Sequence, residues 1–480
     1  MRVLRVRAPP GGNPHAQCSV GIGSGATSNL NRDSRGGTIQ EEFGRVPHTT
    51  GKGGLAVEQK TLTSRRSFVK HAGAATGLGL SAMLWSRRVL GAEKRIRCGF
   101  IGVGSRGTAL LRAVVKVPDA EIGMLCDIQA IETKKALEEV KKSKVPYAAD
   151  VTAVSDWREV IDSKDLDAIV IATPQHLHVP MALEAVDAKR AVYCEKALGY
   201  TIQECFDIQK AVEKAGTVFQ VGHQRHYSEM YINAKKLIDA GEIGRVTQIR
   251  GQWHRNSEDR RPCIDPAMDR TINWRVYSEF SGGLMSEFGA HQIDVVNWYL
   301  GAPPVAVFAA GGIDWYQDGR DSYDNMSAIF LYPNGVKFVY TTILQSSFND
   351  ALEVFMGDTG TIETSILFGG RLFPEPKKIA GDQAVGTPVP CHQCAAESDP
   401  DFHSVIPGSA PRQPCKVKTE ERGAHSPTEN LNAVKAFIAC CQDGRKPDAD
   451  VKVGVEAAVP ALMANISMRE NRTVFWSEFV

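Results

Sequence analysis

The sequence is poor in the features that mark several large protein classes. Its most conspicuous apolar run ahead of residue 95, HAGAATGLGLSAMLWS at positions 71–86, falls short of the about 20 residues a membrane-crossing helix requires. No membrane span is therefore expected. The cysteines, at 18, 98, 126, 194, 205, 263, 391, 394, 415, 440 and 441, lack the spacing of a disulfide-stapled scaffold. Cys98, Cys126 and Cys194 fall in apolar segments, where a thiol behaves as a small hydrophobe. Cys391-x-x-Cys394, near His392, His403 and Cys415, has no second ligand pair, so no metal site is expected; a disulfide involving Cys415 is the better expectation outside the cytoplasm. A basic body is also missing. Residues 1–92 carry a charge of +9, which leaves −8 on the rest of a chain whose total is +1. That balance gives no support for nucleic-acid binding.

The basic excess at the front has its own reading. Ser64-Arg65-Arg66-Ser67-Phe68-Val69-Lys70 precedes the 71–86 run, a charged region followed by a short apolar one, which is the order of a secretory signal. The paired arginines followed by Phe resemble the twin-arginine signal that exports folded proteins. Residues 1–92 are thus expected to be a leader, with cleavage after Ala92 and the twin-arginine export machinery as a partner. Residues 1–60 are rich in Gly, Arg and Ser and make an overlong front region, which points to a true start near Leu55 to Leu62.

At 480 residues the chain is long enough for two domains. From Arg95 onward, strands and helices alternate. RIRCGFIGVG, AEIGMLCD, DAIVIATP, AVYCEKA and TVFQVGH read as strands, and TALLRAVVKV, ETKKALEEVKKS, MALEAVDAK and IQECFDIQKAVEKAG as the helices between them. Such alternation means βαβ units and a parallel sheet, which places a dinucleotide-binding Rossmann domain over 93–225. After about residue 226 the texture changes. One helix, YINAKKLIDAG, leads into alternating runs such as VTQIRGQWH, DNMSAIFLYP and GVKFVYTTILQ, with a hairpin turn at Pro333-Asn334-Gly335. A second, α+β domain with a large, mostly antiparallel open-faced sheet is expected over 226–480. Two helices, ENLNAVKAFIACCQDG and EAAVPALMANISMRE, close it.

Gly102-x-Gly104-x-x-Gly107 follows the first strand and opens the first helix. The first glycine permits the tight turn, the second lets the backbone approach a pyrophosphate, and the third lets helix pack on strand. Gly102, Gly104, Ser105, Arg106 and Gly107 are the candidate cofactor contacts here. Asp127 ends the second strand and is placed to accept from an adenosine ribose. Ile128-Gln129 follow it, so a 2′-phosphate finds no cationic partner, and NAD is expected over NADP.

Two clusters carry candidate chemistry. Glu195-Lys196-Ala197 ends a parallel strand, the edge at which doubly wound sheets hold ligands; a Lys there can favour the alkoxide form of a hydroxyl. Glu287, His291 and Asp294 lie at i, i+4 and i+7, so a helix would put them on one face. A carboxylate on either side of His291 would fix its tautomer and make it a general base.

Together, IGVGSRG, TPQHLH (173–178), CEKA, VGHQRHY and SGGLMSEFGAHQIDVVNWYLG (281–301) resemble the Gfo/Idh/MocA oxidoreductases, from about Arg95 to the C-terminus. The resemblance implies an active site between a Rossmann domain and an open sheet. It makes Lys196 the catalytic lysine, His291 the catalytic histidine and Glu287 the acidic residue one turn earlier, with Asp294 on the same face. It places Thr173, Pro174 and His178 along the nicotinamide, with Glu195 and Lys196 also beside the cofactor. The departure is Ala197, where the family usually has Pro. The implied reaction is hydride transfer from a sugar carbon to tightly bound NAD, in a homo-oligomer assembled through the open sheet. A protein that folds before export carries its dinucleotide out with it, so the cofactor is expected to be recycled within one turnover. NAD-dependent glycoside cleavage fits that demand too, and needs a further base for which Tyr227, His223 and His254 are candidates. A sugar- or nucleotide-binding sensor on the same fold is the non-enzymatic alternative.

Overall fold

The computed structural model describes residues 95–263, 265–375 and 427–480, with the backbone of a short strand at Ser404–Val405. The leader over 1–92 and the readings on Cys391, His392, Cys394, His403 and Cys415 lie outside the described residues.

The nucleotide-binding half contains β1 (Ile96–Ile101), β2 (Ala120–Cys126), β3 (Thr152–Val154), β4 (Ala168–Ile171), β5 (Ala191–Cys194) and β6 (Phe219–Val221). They form one parallel sheet in the order β3-β2-β1-β4-β5-β6. The order reverses between β1 and β4, which opens a crevice at the carboxyl ends of those strands. The helices between strands are α1 (Ser105–Val114), α2 (Ala130–Lys142), α3 (Trp157–Asp162), α4 (His178–Asp187) and α5 (Ile202–Ala215). Side-chain alternation decides which face each strand residue serves. On β4, Ala168 and Val170 join the core with Phe100, Leu111 and Tyr193, while Ile169 and Ile171 join the core on the other face. Helix α5 starts at a capping box, Thr201 with Glu204, and stops at Gly216 in the left-handed region (φ 67°), which is the local chemistry that ends a helix.

After helix α6 (Glu229–Asp239) comes a second sheet. Its strands are β7 (Val246–His254), β8 (Ala306–Gly312), β9 (Asn325–Leu331), β10 (Lys337–Ile343), β11 (Ala351–Gly357), β12 (Gly360–Ser365), β13 (Gly369–Pro374), β14 (Ser404–Val405) and β15 (Val474–Phe475). The order is β14-β13-β12-β11-β7-β10-β9-β8-β15. The expected antiparallel pattern holds except at the centre, where β7 and β10 run parallel. Parallel neighbours need a long crossover, and here it contains helix Ala290–Leu300 and the β8–β9 hairpin. The predicted turn at Pro333-Asn334-Gly335 is present, with Gly335 at φ 82° donating to the Tyr332 carbonyl at 3.0 Å.

One face of this sheet is covered and the other is open. On β9, Met326, Ala328 and Phe330 are buried, while Ile329 and Leu331 are exposed. The covering elements are helix Ala290–Leu300 and helix Val451–Glu470, which pack on each other. The latter is apolar nearly all round because it is buried on most sides, as a helix hydrophobic all round should be. It begins five residues earlier than the sequence pattern suggests, where the Asp450 carboxylate accepts from the Val453 amide at 2.9 Å and caps it. Helix Pro427–Asp443 does not join the second sheet. Its Val434, Phe437 and Ile438 pack into the core of the nucleotide-binding half, with Phe437 edge-on to Tyr193. A division of the chain at residue 226 therefore leaves out this return of the C-terminal segment to the first sheet.

Candidate active site

The β1–α1 loop is shaped by its glycines. Gly102 sits at φ 87°, and a Cβ there would lie 2.5 Å from the Ala172 carbonyl oxygen. A Cβ on Gly107 would collide with the Gly102 carbonyl oxygen, whereas one on Gly104 would meet nothing within 4 Å. Two glycines are thus required by the protein's own backbone, and the third faces open space at the start of α1. The cap residue of α1 is Gly104, with no side-chain hydrogen bond to the first turn. Its free N–H groups and dipole suit an anion. Asp127 accepts from the Val103 amide at 3.0 Å and the Gln129 amide at 2.9 Å, which ties the loop to the end of β2. Burial pushes its carboxyl above the usual range, against those two N–H groups. Ile128, highly exposed, is next in sequence, and no cation follows. At the end of β4, the buried Thr173 hydroxyl has no hydrogen-bond partner among the described residues. These features fit NAD: open space beside Gly104, an unpaired polar group at the crevice and an acidic residue at the end of β2.

Three of the predicted cofactor contacts serve partly as framework. His178 is buried, with Nδ1 2.9 Å from the Ala197 carbonyl oxygen and Nε2 2.9 Å from that of Thr173. It braces the two loops that border the crevice. Arg106 Nε donates to Glu195 at 2.7 Å and its Nη1 to Asn430 Oδ1 at 2.8 Å. This links the start of α1 to the end of β5 and to helix Pro427–Asp443.

Lys196 follows the end of β5 and is joined to Ala197 by a cis peptide. Its Nζ donates to the Glu287 backbone carbonyl at 2.8 Å and lies 3.8 Å from Glu287 Oε2. The backbone explains the reach. Met285–Gly289 is a single wide π-turn that precedes helix Ala290–Leu300, and π-turns recur at functional sites. Burial lowers the Lys196 pKa, opposed by Glu287 and Glu195. Burial alone would raise that of Glu287, but Lys196 and Arg275 outweigh it and hold the carboxyl below the usual range. Arg275 Nε donates to Glu287 Oε2 at 3.2 Å, and Ser281 Oγ to Oε1 at 3.3 Å.

Both carboxylates that flank His291 in the sequence also have partners on other elements. Glu287 serves Lys196 and Arg275. Asp294 turns to the other side, where its Oδ1 accepts from His226 Nε2 at 2.9 Å and its Oδ2 lies 3.3 Å from His223 Nδ1. His226 is stacked on Trp298, with centroids 4.3 Å apart. His291 itself is buried between the Trp253 ring, centroid 5.4 Å away, and the His223 ring, 6.3 Å away and edge-on. Burial lowers the His223 pKa, against the pull of Asp294. Lys196, Glu287, His291, Asp294 and His223 are thus brought together.

Two other candidates are not. Tyr227 packs with Ala433 and Ala449, and its hydroxyl accepts from the Ala449 amide at 3.3 Å. His254 follows Trp253 on β7. Since Trp253 faces His291, strand alternation sends His254 to the open face, where Nε2 lies 3.0 Å from Thr341 Oγ1. Sequence reasoning missed Arg275 and His226. Arg275 stands 12 residues from Glu287, with no periodicity to relate them. His226 lies in the VGHQRHY stretch, but 68 positions from the carboxylate it holds.

Comparison with known proteins agrees with this fold. Residues 96–223 match the model of an oxidoreductase family with an NAD-binding Rossmann fold, GFO_IDH_MocA, and residues 231–363 match a GFO/IDH/MocA C-terminal domain. Together these matches span more than half of the chain. An inositol 2-dehydrogenase of Salmonella paratyphi B is 28% identical over 207 residues, 43% of this chain and 54% of the relative. A glycosyl hydrolase family 109 protein of Stenotrophomonas maltophilia is 29% identical over 193 residues, 39% of this chain and 42% of the relative. The chain therefore aligns with about half the length of these relatives. Among solved structures, a levoglucosan dehydrogenase in complex with NADH and levoglucosan superposes with a TM-score of 0.61 at 20% identity, over 80% of this chain and 99% of that one. That likeness is one of fold.

Proposed function

This chain belongs to the Gfo/Idh/MocA family of oxidoreductases, and we propose that it oxidises a hydroxyl of a sugar or sugar derivative with a tightly held NAD. The observation that carries the reading is the meeting of Lys196, from the edge of the nucleotide-binding sheet, with Glu287, from the segment beneath the second sheet. Bound NAD supplies the hydride acceptor. His291 takes the hydroxyl proton, and the Lys196 ammonium holds the oxygen as negative charge grows on it. In a buried site that attraction is stronger than in water. Glu287 and its partner Arg275 keep the lysine aimed, which is a positioning contribution.

Beside Glu287, Arg275, Arg320, Ser322 and Tyr323 line a narrow cleft together with Val276, Leu284 and Leu344. The twin-arginine-like signal supports export of the folded protein to the periplasm with its cofactor bound, and the assembly proposed is a homo-oligomer. The open sheet face, with Phe308, Ile329 and Leu331 exposed, supplies an apolar surface for that assembly. A second reading, glycoside cleavage through transient oxidation, is favoured by the similarity to a family 109 glycosyl hydrolase.

Purifying the protein after cytoplasmic expression, denaturing it and identifying the released nucleotide by mass tests the central claim. Near-stoichiometric NAD(H) is expected. Protein free of nucleotide would overturn the tight-cofactor reading.

A further inference from the structure

One side chain, Gln175, crosses the boundary between the two halves. It opens the single 3₁₀ turn Gln175–Leu177, which runs into α4, and is 1% exposed. Its Nε2 donates to the Gly199 carbonyl oxygen at 2.7 Å, and its Oε1 accepts from the Gly282 amide at 2.8 Å. A carbonyl oxygen only accepts and an N–H only donates, so these partners fix which way round the side-chain amide stands. Both backbone partners belong to segments that carry the candidate chemistry. Gly199 lies three residues past Lys196, and Gly282 five residues before Glu287. The far ends of the same two segments meet where Lys196 Nζ donates to the Glu287 carbonyl at 2.8 Å. The segments are thus tied at two points, once by the lysine and once by the glutamine. Gly282 has no room for a Cβ, which would run into Ser286 Oγ, and its carbonyl accepts from Asn465 Nδ2 at 2.7 Å. Gln175 therefore bears on a fixed point.

The lysine tie does not hold the spacing by itself during a reaction. A substrate oxygen competes with the Glu287 carbonyl for the ammonium protons, whereas the glutamine tie is made to backbone alone. We propose that Gln175 is a positioning residue for the oxidation, one that sets the distance between Lys196 and the π-turn that bears Glu287 and leads to His291. The inference rests on the reading that Lys196 and His291 act on a sugar hydroxyl. His178, three residues on, stands with Nδ1 2.9 Å from the Ala197 carbonyl oxygen. One short segment thus grips the lysine's loop twice and the approach to the π-turn once. That segment follows Thr173, whose buried hydroxyl has no partner among the described residues and borders the crevice. Crevice, lysine and π-turn therefore share one support. Further braces keep the halves together without Gln175. The His176 amide donates to the Phe280 carbonyl oxygen at 3.3 Å, and the Tyr200 hydroxyl donates to that of Ser278. Loss of the Gln175 amide should accordingly alter spacing rather than fold.

The test uses purified, NAD-loaded protein with myo-inositol, levoglucosan and methyl β-D-glucopyranoside as probes. The rate constant for reduction of bound NAD is measured in a single turnover against probe concentration, beside nucleotide content and far-UV circular dichroism. Gln175→Leu removes both hydrogen bonds. Gln175→Glu keeps the acceptor for Gly282 but, when ionised, has no proton for Gly199; when protonated it restores both bonds. Burial beside a carbonyl oxygen raises the pKa of such a carboxyl. Both variants are expected to keep fold and NAD, with the saturating rate constant down by up to about 100-fold, the scale of a misplacement of about 1 Å. The deficit of Gln175→Glu, taken against wild type at each pH, should close between about pH 8 and about pH 5, while that of Gln175→Leu stays. Unchanged rate constants in both variants would overturn the positioning role and leave the oxidoreductase reading standing. So would a loss of signal that follows only the loss of folded, NAD-bearing protein, or a deficit equal in the two variants at every pH. Wild-type protein that reduces its NAD with none of the probes would overturn the oxidoreductase reading and this inference with it.

Discussion

The Lys196 ammonium donates to the backbone carbonyl of Glu287, 91 residues away, at 2.8 Å, and stands 3.8 Å from the carboxylate of the same residue. One acidic residue thus holds the lysine twice, through its main chain and its side chain, across the boundary between two sheets. The carbonyl belongs to a π-turn, so the helix geometry and the ion pair act on the same atom group.

Replacing Lys196 with Ala should lower turnover by about 100- to 1000-fold while nucleotide content stays near that of the wild type. Single-turnover reduction of the bound NAD by a panel of sugars, beside nucleotide analysis, measures both. Unchanged turnover would remove Lys196 from the mechanism and revive the sensor reading.

Glu287 makes stability depend on acid. Its folded pKa lies below the ordinary glutamate value, so the unfolded chain binds more protons as pH drops below about 4.3. Stability is fully present above that value and is lost as pH falls through the folded pKa. Asp294 is shifted the same way, its two histidines outweighing burial. In Glu287→Gln, urea midpoints measured between pH 3 and pH 6 should vary less steeply than in the wild type. Equal slopes would contradict the ion pairing.

The three loop glycines should separate under mutation. Gly102→Ala puts a side chain at φ 87° against a carbonyl oxygen, costing about 1–2 kcal/mol before any clash. Gly107→Ala collides with backbone. Gly104→Val meets open space and should abolish retained nucleotide while melting like nucleotide-stripped wild type, because bound ligand itself raises the midpoint. Thermal melts read against nucleotide content distinguish the three.

Arg225 and Glu353 form a buried pair at 2.5 Å, and the Glu353 carboxylate also accepts from Thr364 at 2.6 Å and Tyr231 at 3.2 Å. Glu353→Ala strands an arginine in the interior and should cost about 3–5 kcal/mol, read by chemical denaturation. A loss under 1 kcal/mol would show that water reaches the pair.

Much of the architecture was legible because it is local. The glycine loop, the capping box on α5 and the turn at Pro333-Asn334-Gly335 depend on sterics within a few residues, and strand alternation repeats every second position. The segments that present Lys196 and His291 were legible because they sit at a strand end and a helix start. The parallel β7–β10 pair was not, since nothing within either strand records which neighbour lies beside it.

Asp294 shows where reading from sequence stops. Its spacing from His291 depends on one helix and could be counted along the chain. Its actual partners, His223 and His226, come from the edge of another sheet some 70 residues earlier. Sequence by itself determined which local element presents each candidate residue, because propensity and periodicity act over short distances. Only the tertiary structure decided which carboxylate serves which base. That choice is made by the packing of separate elements, and electrostatic pairing falls off with distances in space that the chain order does not encode.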